Sequence, residues 1–155
     1  MKREVTTALI TLALTGLTLR ASAQDKESVV NPTGTWQLTT LSAEGQPGSP
    51  QTLKLKLEGG KLTGTLSRQA GYKVEQLPLE DPKLKGSEIS FSTHSYAVSY
   101  VNKVQQPTDT NKVSHSKYQG TISGDTIKGK LERHSFTGND HMLDWEAKRL
   151  RNVTR

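Results

Sequence analysis

The alternation of apolar and polar residues from Gly34 onward constrains the fold of this chain more than any other feature. Apolar residues or glycines recur at every second position: Trp36 and Leu38; Leu53, Leu55 and Leu57; Leu62, Gly64 and Leu66; Ile89 and Phe91; Tyr96, Val98 and Tyr100; Tyr118, Gly120 and Ile122; Ile127, Gly129 and Leu131; and Leu143, Trp145 and Ala147. This period is typical of strands with one buried and one solvated face, and only residues 6–19 depart from it toward a helical stretch. The sequence therefore predicts an all-β fold, an antiparallel meander of about eight strands forming a small barrel, with a two-sheet β-sandwich as the alternative.

Glycine and proline positions divide the alternation into strands. Gly59-Gly60 and Gly124-Asp125 each stand between two alternating runs, and such dipeptides supply the positive backbone angles of tight hairpins. Residues 42–50 and 105–112 are rich in turn formers and are predicted as longer loops. Pro78 lacks the N–H that a central strand needs, so its segment is predicted to be an edge strand or to carry a bulge.

Three glycines, Gly64, Gly120 and Gly129, occupy the middle of an apolar-x-Gly-x-apolar pattern and share the parity of the apolar face. A glycine on the inner face leaves room for a large neighbouring side chain, or lets the strand bend as a sheet curls. We favour the interpretation that these glycines make room for Trp36 or Trp145. The alternative is that they line a cavity.

The N-terminal segment predicts export. The basic start Lys2-Arg3 precedes an uncharged, largely apolar stretch at residues 6–19, and Ala21-Ser22-Ala23 follows as a cleavage signal. The apolar stretch is shorter than the roughly 20 residues that a spanning helix needs. We expect residues 1–23 to be a signal peptide cleaved after Ala23. The mature chain would then have no integral membrane span and would be secreted or periplasmic.

The composition divides the rest of the chain into segments and limits its means of stabilisation and its partners. Residues 24–33 form a polar leader, residues 34–150 the predicted β-barrel domain, and residues 151–155 a basic tail. The chain has no cysteine, so disulfides cannot stabilise it, and 32% hydrophobic residues indicate a modest core. The net charge of +6 is scattered and lacks interleaved aromatic residues, which predicts no nucleic-acid partner.

Some residues could support metal binding or catalysis, but none is arranged in a recognised pattern. His134, Asp140, His141 and Asp144 could supply zinc ligands, yet their spacing fits no established metal motif. The chain also lacks a Gly-x-Ser-x-Gly nucleophile elbow. We therefore predict no metal, no cofactor and no catalytic residue, and keep a low-activity hydrolase using histidine and aspartate groups as the alternative.

Aromatic residues in the middle of the chain are the candidate ligand-binding groups. Tyr96 and Tyr100 share the parity of Val98, and His94 shares it too, so we expect these side chains to face inward. Together with Tyr118 they could orient a small apolar or amphipathic ligand through their polar atoms. The alternatives are a surface partner, or an interaction module with a filled core and no pocket.

The first and last predicted strands carry a tryptophan and an arginine of matching parity. Counting by twos from Trp145 brings Arg149 to the inner face, near Trp36 if the sheet curls until its ends meet. A guanidinium stacked on an indole gains roughly 0.5–2 kcal/mol. We therefore predict that Trp36 and Arg149 meet at one end of the barrel, without a buried carboxylate.

These residues resemble those of the calycin group, the lipocalins and avidin-like proteins. There, the tryptophan of a Gly-x-Trp motif closes one barrel end beneath an arginine from the last strand, and Gly34-x-Trp36 and Arg149 match that arrangement. The chain is also similar to uncharacterised small secreted bacterial barrel domains, through Gly34–Trp36, Lys61–Thr65, Gly124–Gly129 and Trp145–Arg149. The resemblance covers most of residues 34–149. It implies a calycin-like barrel closed by Gly34, Trp36, Trp145 and Arg149, and it implies no particular ligand.

Overall fold

Every regular element in the described part of the chain is a β-strand. A computed structural model describes residues 30–97, 100–101, 104–105 and 109–151, so the predicted signal peptide, its cleavage after Ala23, Val98 and most of the leader and tail lie outside the described residues. The strands are β1 (Gly34–Leu41), β2 (Gln51–Glu58), β3 (Lys61–Ala70), β4 (Lys73–Pro78), β5 (Glu80–Lys85), β6 (Glu88–Ala97), β7 (Tyr100–Val101), β8 (Val104–Gln105), β9 (Asp109–Ser123), β10 (Thr126–His134) and β11 (Asp140–Arg149). None of the described segments is a helix long and apolar enough to cross a membrane.

Nine of these strands form one antiparallel sheet, in the order β4-β3-β2-β1-β11-β10-β9-β6-β5. Neighbours in the sheet are neighbours in the chain except where β1 pairs with β11, and where β9 pairs with β6 across the small β7–β8 hairpin. The predicted all-β antiparallel meander is therefore confirmed. The pairing of the first strand with the last makes one continuous apolar face from strands that lie far apart in the sequence.

The two edge strands, β4 and β5, approach each other but do not form a ladder in the described structure. Leu79 joins them, and its N–H donates to the carbonyl of Gly64 on β3 over 3.1 Å. Pro78 has no N–H to donate, and Asp81 has a positive φ of 46° within a register shift of β5. The sheet curls until β5 contacts β3, but these irregularities leave it unclosed by strand pairing, unlike the predicted barrel. Pro78 lies on an edge strand, as predicted.

The predicted tight turns are confirmed at both glycine dipeptides. Gly59 and Gly60 have φ values of 55° and 77° between β2 and β3, and Gly124 has a φ of 57° between β9 and β10. Residues other than glycine adopt this region at a steric cost, which explains why glycine occupies these positions.

The apolar face forms one core. Its largest fully buried side chains are aromatic: Trp36, Phe91, Tyr118 and Trp145. Phe91 stacks on Tyr118 with ring centroids 4.7 Å apart, and the Trp145 ring meets both at steep angles. Aromatic pairs in these geometries stabilise beyond the area they bury, so the middle of the curled sheet is filled by side chains.

The predicted inward face of β6 is wrong in its second half. The buried residues are Ile89, Phe91, Thr93 and Ser95, so the inner face keeps one parity to the end of the strand. Tyr96 and His94 lie on the opposite face, where their rings contact each other. The error arose because Thr93 and Ser95 are polar, and apolarity alone cannot follow the face through hydroxyl residues.

Candidate functional site

Trp36 and Arg149 meet at one end of the curled sheet, as predicted. They are directly paired in the β1–β11 register, and the Arg149 guanidinium carbon lies 4.1 Å from the centroid of the Trp36 ring. The indole is fully buried, and its N–H donates to the carbonyl of Pro32 over 2.9 Å. This end of the inner face is therefore closed.

Arg149 also has partners that the sequence did not predict. Its guanidinium donates to the carbonyls of Thr33 and Asn31, over 2.5 and 3.1 Å, and to the carboxylate of Asp125 over 3.1 Å. Asp125 was not predicted as a partner, but it is half exposed and so does not contradict the prediction of a stack without a buried carboxylate; the β9–β10 turn brings it to this end. A Cβ on Gly34 would come within 2.9 Å of the guanidinium, so glycine leaves the space for it.

Trp145 occupies the middle of the inner face, and Gly120 leaves room for it. A Cβ on Gly120 would lie 2.8 Å from the indole ring. The Trp145 N–H donates to the carbonyls of Gln119 and Lys130, both over 3.1 Å. The interpretation that these glycines make room for a large side chain is therefore confirmed for Gly120. Gly64 and Gly129 do not make room for a tryptophan: a Cβ there would first meet the backbone carbonyl oxygens of Lys54 and Gln119, respectively, on the neighbouring strands.

The opposite end of the inner face holds a cavity of about 330 Å³ lined by polar side chains. We call it the polar cup, and its polar lining consists of Arg68, Ser95, Ser114, Ser116, Arg133 and Ser135. Phe136 adds aromatic surface at its border. The volume falls at the small end of the roughly 300–1,000 Å³ of small-molecule sites.

Strand parity explains why polar residues gather here. Arg68 follows the buried Leu66 by two positions on β3, and Arg133 follows the buried Leu131 by two on β10. Each therefore continues the inner face beyond the apolar core. Ser116 on β9 lies directly opposite Arg133 in the register of the two strands.

The two arginines of the cup differ in their charge partners. The Nε of Arg68 lies 2.9 Å from the carboxylate of Glu75, its register partner on β4. Arg133 has no carboxylate within ion-pair distance among the residues that the structure describes. The cup therefore combines one neutralised and one uncompensated positive charge.

Tyr118 lies beside two residues that line the cup. Its ring is buried in the aromatic core, and its hydroxyl interacts with the side chains of Arg133 and Ser116. Burial raises the pKa of this phenol, and the positive charges of Arg133 and Arg68 oppose the rise. The hydroxyl is therefore neutral at physiological pH and can donate or accept a hydrogen bond.

The structure does not bring the four predicted ligand-binding residues together. Tyr118 lies beside the cup residues Arg133 and Ser116, and Tyr96 lies at the border of the cup. His94 faces outward and binds the carboxylate of Glu80. Tyr100 lies in β7, where only the backbone is described. The expectation that His94 points inward is therefore wrong, for the same reason as for Tyr96.

Histidines form a row on the outer face of the sheet. His115 on β9 is the register partner of both His94 on β6 and His134 on β10. The rings of His94 and His115 lie 6.4 Å apart, which confirms that they face each other across strands. Hydrogen bonds to the carboxylates of Asp140 and Glu132, and their negative charges, raise the pKa of His134.

The predicted candidate zinc ligands do not converge. Asp144 pairs with Lys130 over 2.7 Å rather than with a histidine. Within the described ranges, no group of three or more histidine or carboxylate side chains is arranged to hold a metal ion.

A larger groove of about 570 Å³ lies on the outer face, bordered by Lys83, Lys85, Lys128 and Lys130. Lys130 pairs with Asp144 over 2.7 Å, and Lys128 lies 4.0 Å from Glu146. These lysine side chains are exposed, and water and salt screen their charges. The polar cup is the stronger candidate, because its charged groups are partly buried and converge from separate strands.

Sequence analysis missed the arginines and serines of the cup. Counting every second residue along a strand, as was done from Trp145 to Arg149, could have identified the two arginines. Arg68 lies two positions after the buried Leu66, and Arg133 two after the buried Leu131, so both face inward. The four serines carry no such signal, because a serine in a strand is equally common on the solvated face.

No protein-family model matches the chain, and no curated protein matches it either.

Proposed function

We propose that this chain is an exported, non-catalytic β-protein that binds a small amphipathic ligand in the polar cup. The observation that carries the proposal is the uncompensated, half-buried Arg133 facing a cavity on the core side of the sheet. In this proposal the curled sheet serves as a calycin-like barrel, closed by Trp36 and Arg149 and open at the cup. Export rests on the predicted signal peptide of residues 1–23.

The distribution of side chains along the inner face supports binding over a filled-core interaction module. Aromatic rings fill the middle, and the Trp36–Arg149 stack closes the far end. The cup is the part of the inner face that core side chains leave vacant. Its serines and arginines suit a polar group, and Phe136 suits an apolar one.

The positions of the candidate acid–base groups support a non-catalytic role. His94 is engaged by Glu80, and His134 is engaged by Asp140, both on the outer face. Glu75, the carboxylate nearest the cup, is paired with Arg68. No described carboxylate or imidazole of the cup is thus left to act on a bound molecule as a general acid or base.

The test is an NMR titration of the mature protein with phenylacetate, phenylacetamide and phenethylamine, three amphipathic probes that differ in charge. We expect at least one probe to shift the backbone amide signals of Ser95, Ser116 and Arg133 in a saturable way. Ser114→Phe, which fills the cup, should abolish the shifts. Ser123→Phe, at an exposed position on the same strand, should leave them intact.

The indole signals of Trp36 and Trp145 report whether each variant keeps its fold. Absence of saturable shifts with all three probes would contradict the proposal. Equal shifts in the folded Ser114→Phe variant would contradict it too, since binding would then occur elsewhere.

A further inference from the structure

We infer that the polar group of the ligand is a single negative charge of the carboxylate or sulfonate kind, and that Arg133 binds it. This inference rests on the proposed function of the polar cup and specifies the class of ligand.

The charges of the cup favour a monoanion. Arg68 is neutralised by Glu75 at 2.9 Å, which leaves Arg133 as the one uncompensated charge among the described groups that line the cavity. A half-buried guanidinium without a counter-charge is poorly solvated by both water and protein. An anion in the cup would supply that counter-charge. A dianion would bring a second negative charge that no lining group compensates.

The hydrogen-bonding groups of the cup also suit an anion. A guanidinium presents paired N–H donors whose geometry matches the two oxygens of a carboxylate or sulfonate. Ser95 borders the same cavity and is only 8% exposed. Its hydroxyl can donate to an anion oxygen. Ser116 and the Tyr118 hydroxyl lie beside Arg133 and can complete the set of donors.

Other ligand classes fit these groups less well. An ammonium group would be repelled by Arg133, and the carboxylate of Glu75 is already engaged by Arg68. A neutral amide or hydroxyl would leave the charge of Arg133 without a partner. The aromatic ring of Phe136 at the border of the cup suits the apolar remainder of the ligand.

The test compares phenylacetate with phenylacetamide, which has nearly the same shape and no charge. Dissociation constants are measured by calorimetry and NMR titration at one pH and salt concentration. We expect the wild-type protein to bind phenylacetate about 10- to 100-fold more tightly, as a charge-assisted hydrogen bond in a partly buried site provides. Arg133→Gln should remove this preference and keep the binding of phenylacetamide.

The matched control is Lys148→Gln, which removes one positive charge as Arg133→Gln does, but from an exposed position outside the cup. It should keep most of the preference for phenylacetate. Equal affinities of the wild-type protein for the two probes would overturn the anion inference and leave the proposed function standing. A preference that persists in folded Arg133→Gln would overturn the role of Arg133. Absence of binding by every probe would overturn both the inference and the proposed function.

Discussion

Replacement of Arg149 with alanine tests the closure of the sheet at the Trp36 end. The stack on the indole is worth about 0.5–2 kcal/mol. The ion pair with Asp125 adds at most about 1 kcal/mol, because the carboxylate is half exposed and screened by solvent. Two backbone carbonyls also lose a charged donor, but both hydrogen bonds are exposed, so water replaces most of that loss. We expect Arg149→Ala to lower the free energy of unfolding by about 1–3 kcal/mol.

The second variant removes the ring. Trp36→Leu loses the fully buried indole and its hydrogen bond to Pro32, and should cost about 2–4 kcal/mol. If the stack is real, Arg149→Ala/Trp36→Leu should be less destabilised than the sum of the single variants. The difference should be about 0.5–2 kcal/mol, the energy of the stack itself.

Urea unfolding, followed by circular dichroism, gives the three free energies and their slopes. Lys148→Ala is the matched control, since Lys148 precedes Arg149 on the same strand and forms an exposed pair with Glu146. It should change stability by less than about 0.5 kcal/mol. Additivity of Arg149→Ala and Trp36→Leu within about 0.5 kcal/mol would refute the coupling of the two side chains.

Three further predictions use other parts of the sheet. Gly120→Ala should destabilise by about 1–3 kcal/mol in urea unfolding, because the new methyl group would meet the Trp145 ring at 2.8 Å; an unchanged midpoint would contradict this packing. Gly124→Val should cost about 1–3 kcal/mol, because the φ of 57° is unfavourable for a branched residue; wild-type stability would argue against this turn. By NMR, His134 should titrate with a pKa above its ordinary value, and Asp140→Asn should lower it; equal pKa values in the two proteins would exclude Asp140 as the cause. Because the folded-state pKa is raised, the interaction is fully present below the unfolded pKa and is lost as pH rises through the folded one.

The sequence predicted the parts of the fold that apolar periodicity and glycine chemistry determine. The loop predicted at residues 105–112 is wrong, because β9 already begins at Asp109. The strands of the main alternating runs, the turns at Gly59-Gly60 and Gly124-Asp125, and the meeting of Trp36 with Arg149 followed from these rules and are confirmed. Each depends on a short-range property, the side-chain parity of a strand or the steric freedom of glycine, which a single sequence carries directly.

The candidate site was not predictable in the same way. Apolar residues identify the inner face of a strand only where that face packs in the apolar core. Toward the cup, the inner face of β6 becomes polar, at Thr93 and Ser95. A polar inner face resembles a solvated outer face in sequence, which is why Tyr96 was assigned to the wrong side. The neutralisation of Arg68 by Glu75 depends on the β3–β4 register, which no local pattern specifies.

The pairing of β1 with β11 determines when this protein can fold. Thr33 and Arg149, which it brings into contact, are 116 positions apart in the chain. Closing so long a loop costs entropy before any contact compensates it, and folds with many distant contacts form in milliseconds to seconds rather than microseconds. Until the last strand is synthesised, β1 has an unpaired edge and Trp36 lacks its cover. A nascent chain ending before β11 therefore remains incompletely folded, a state compatible with passage through a membrane translocation channel.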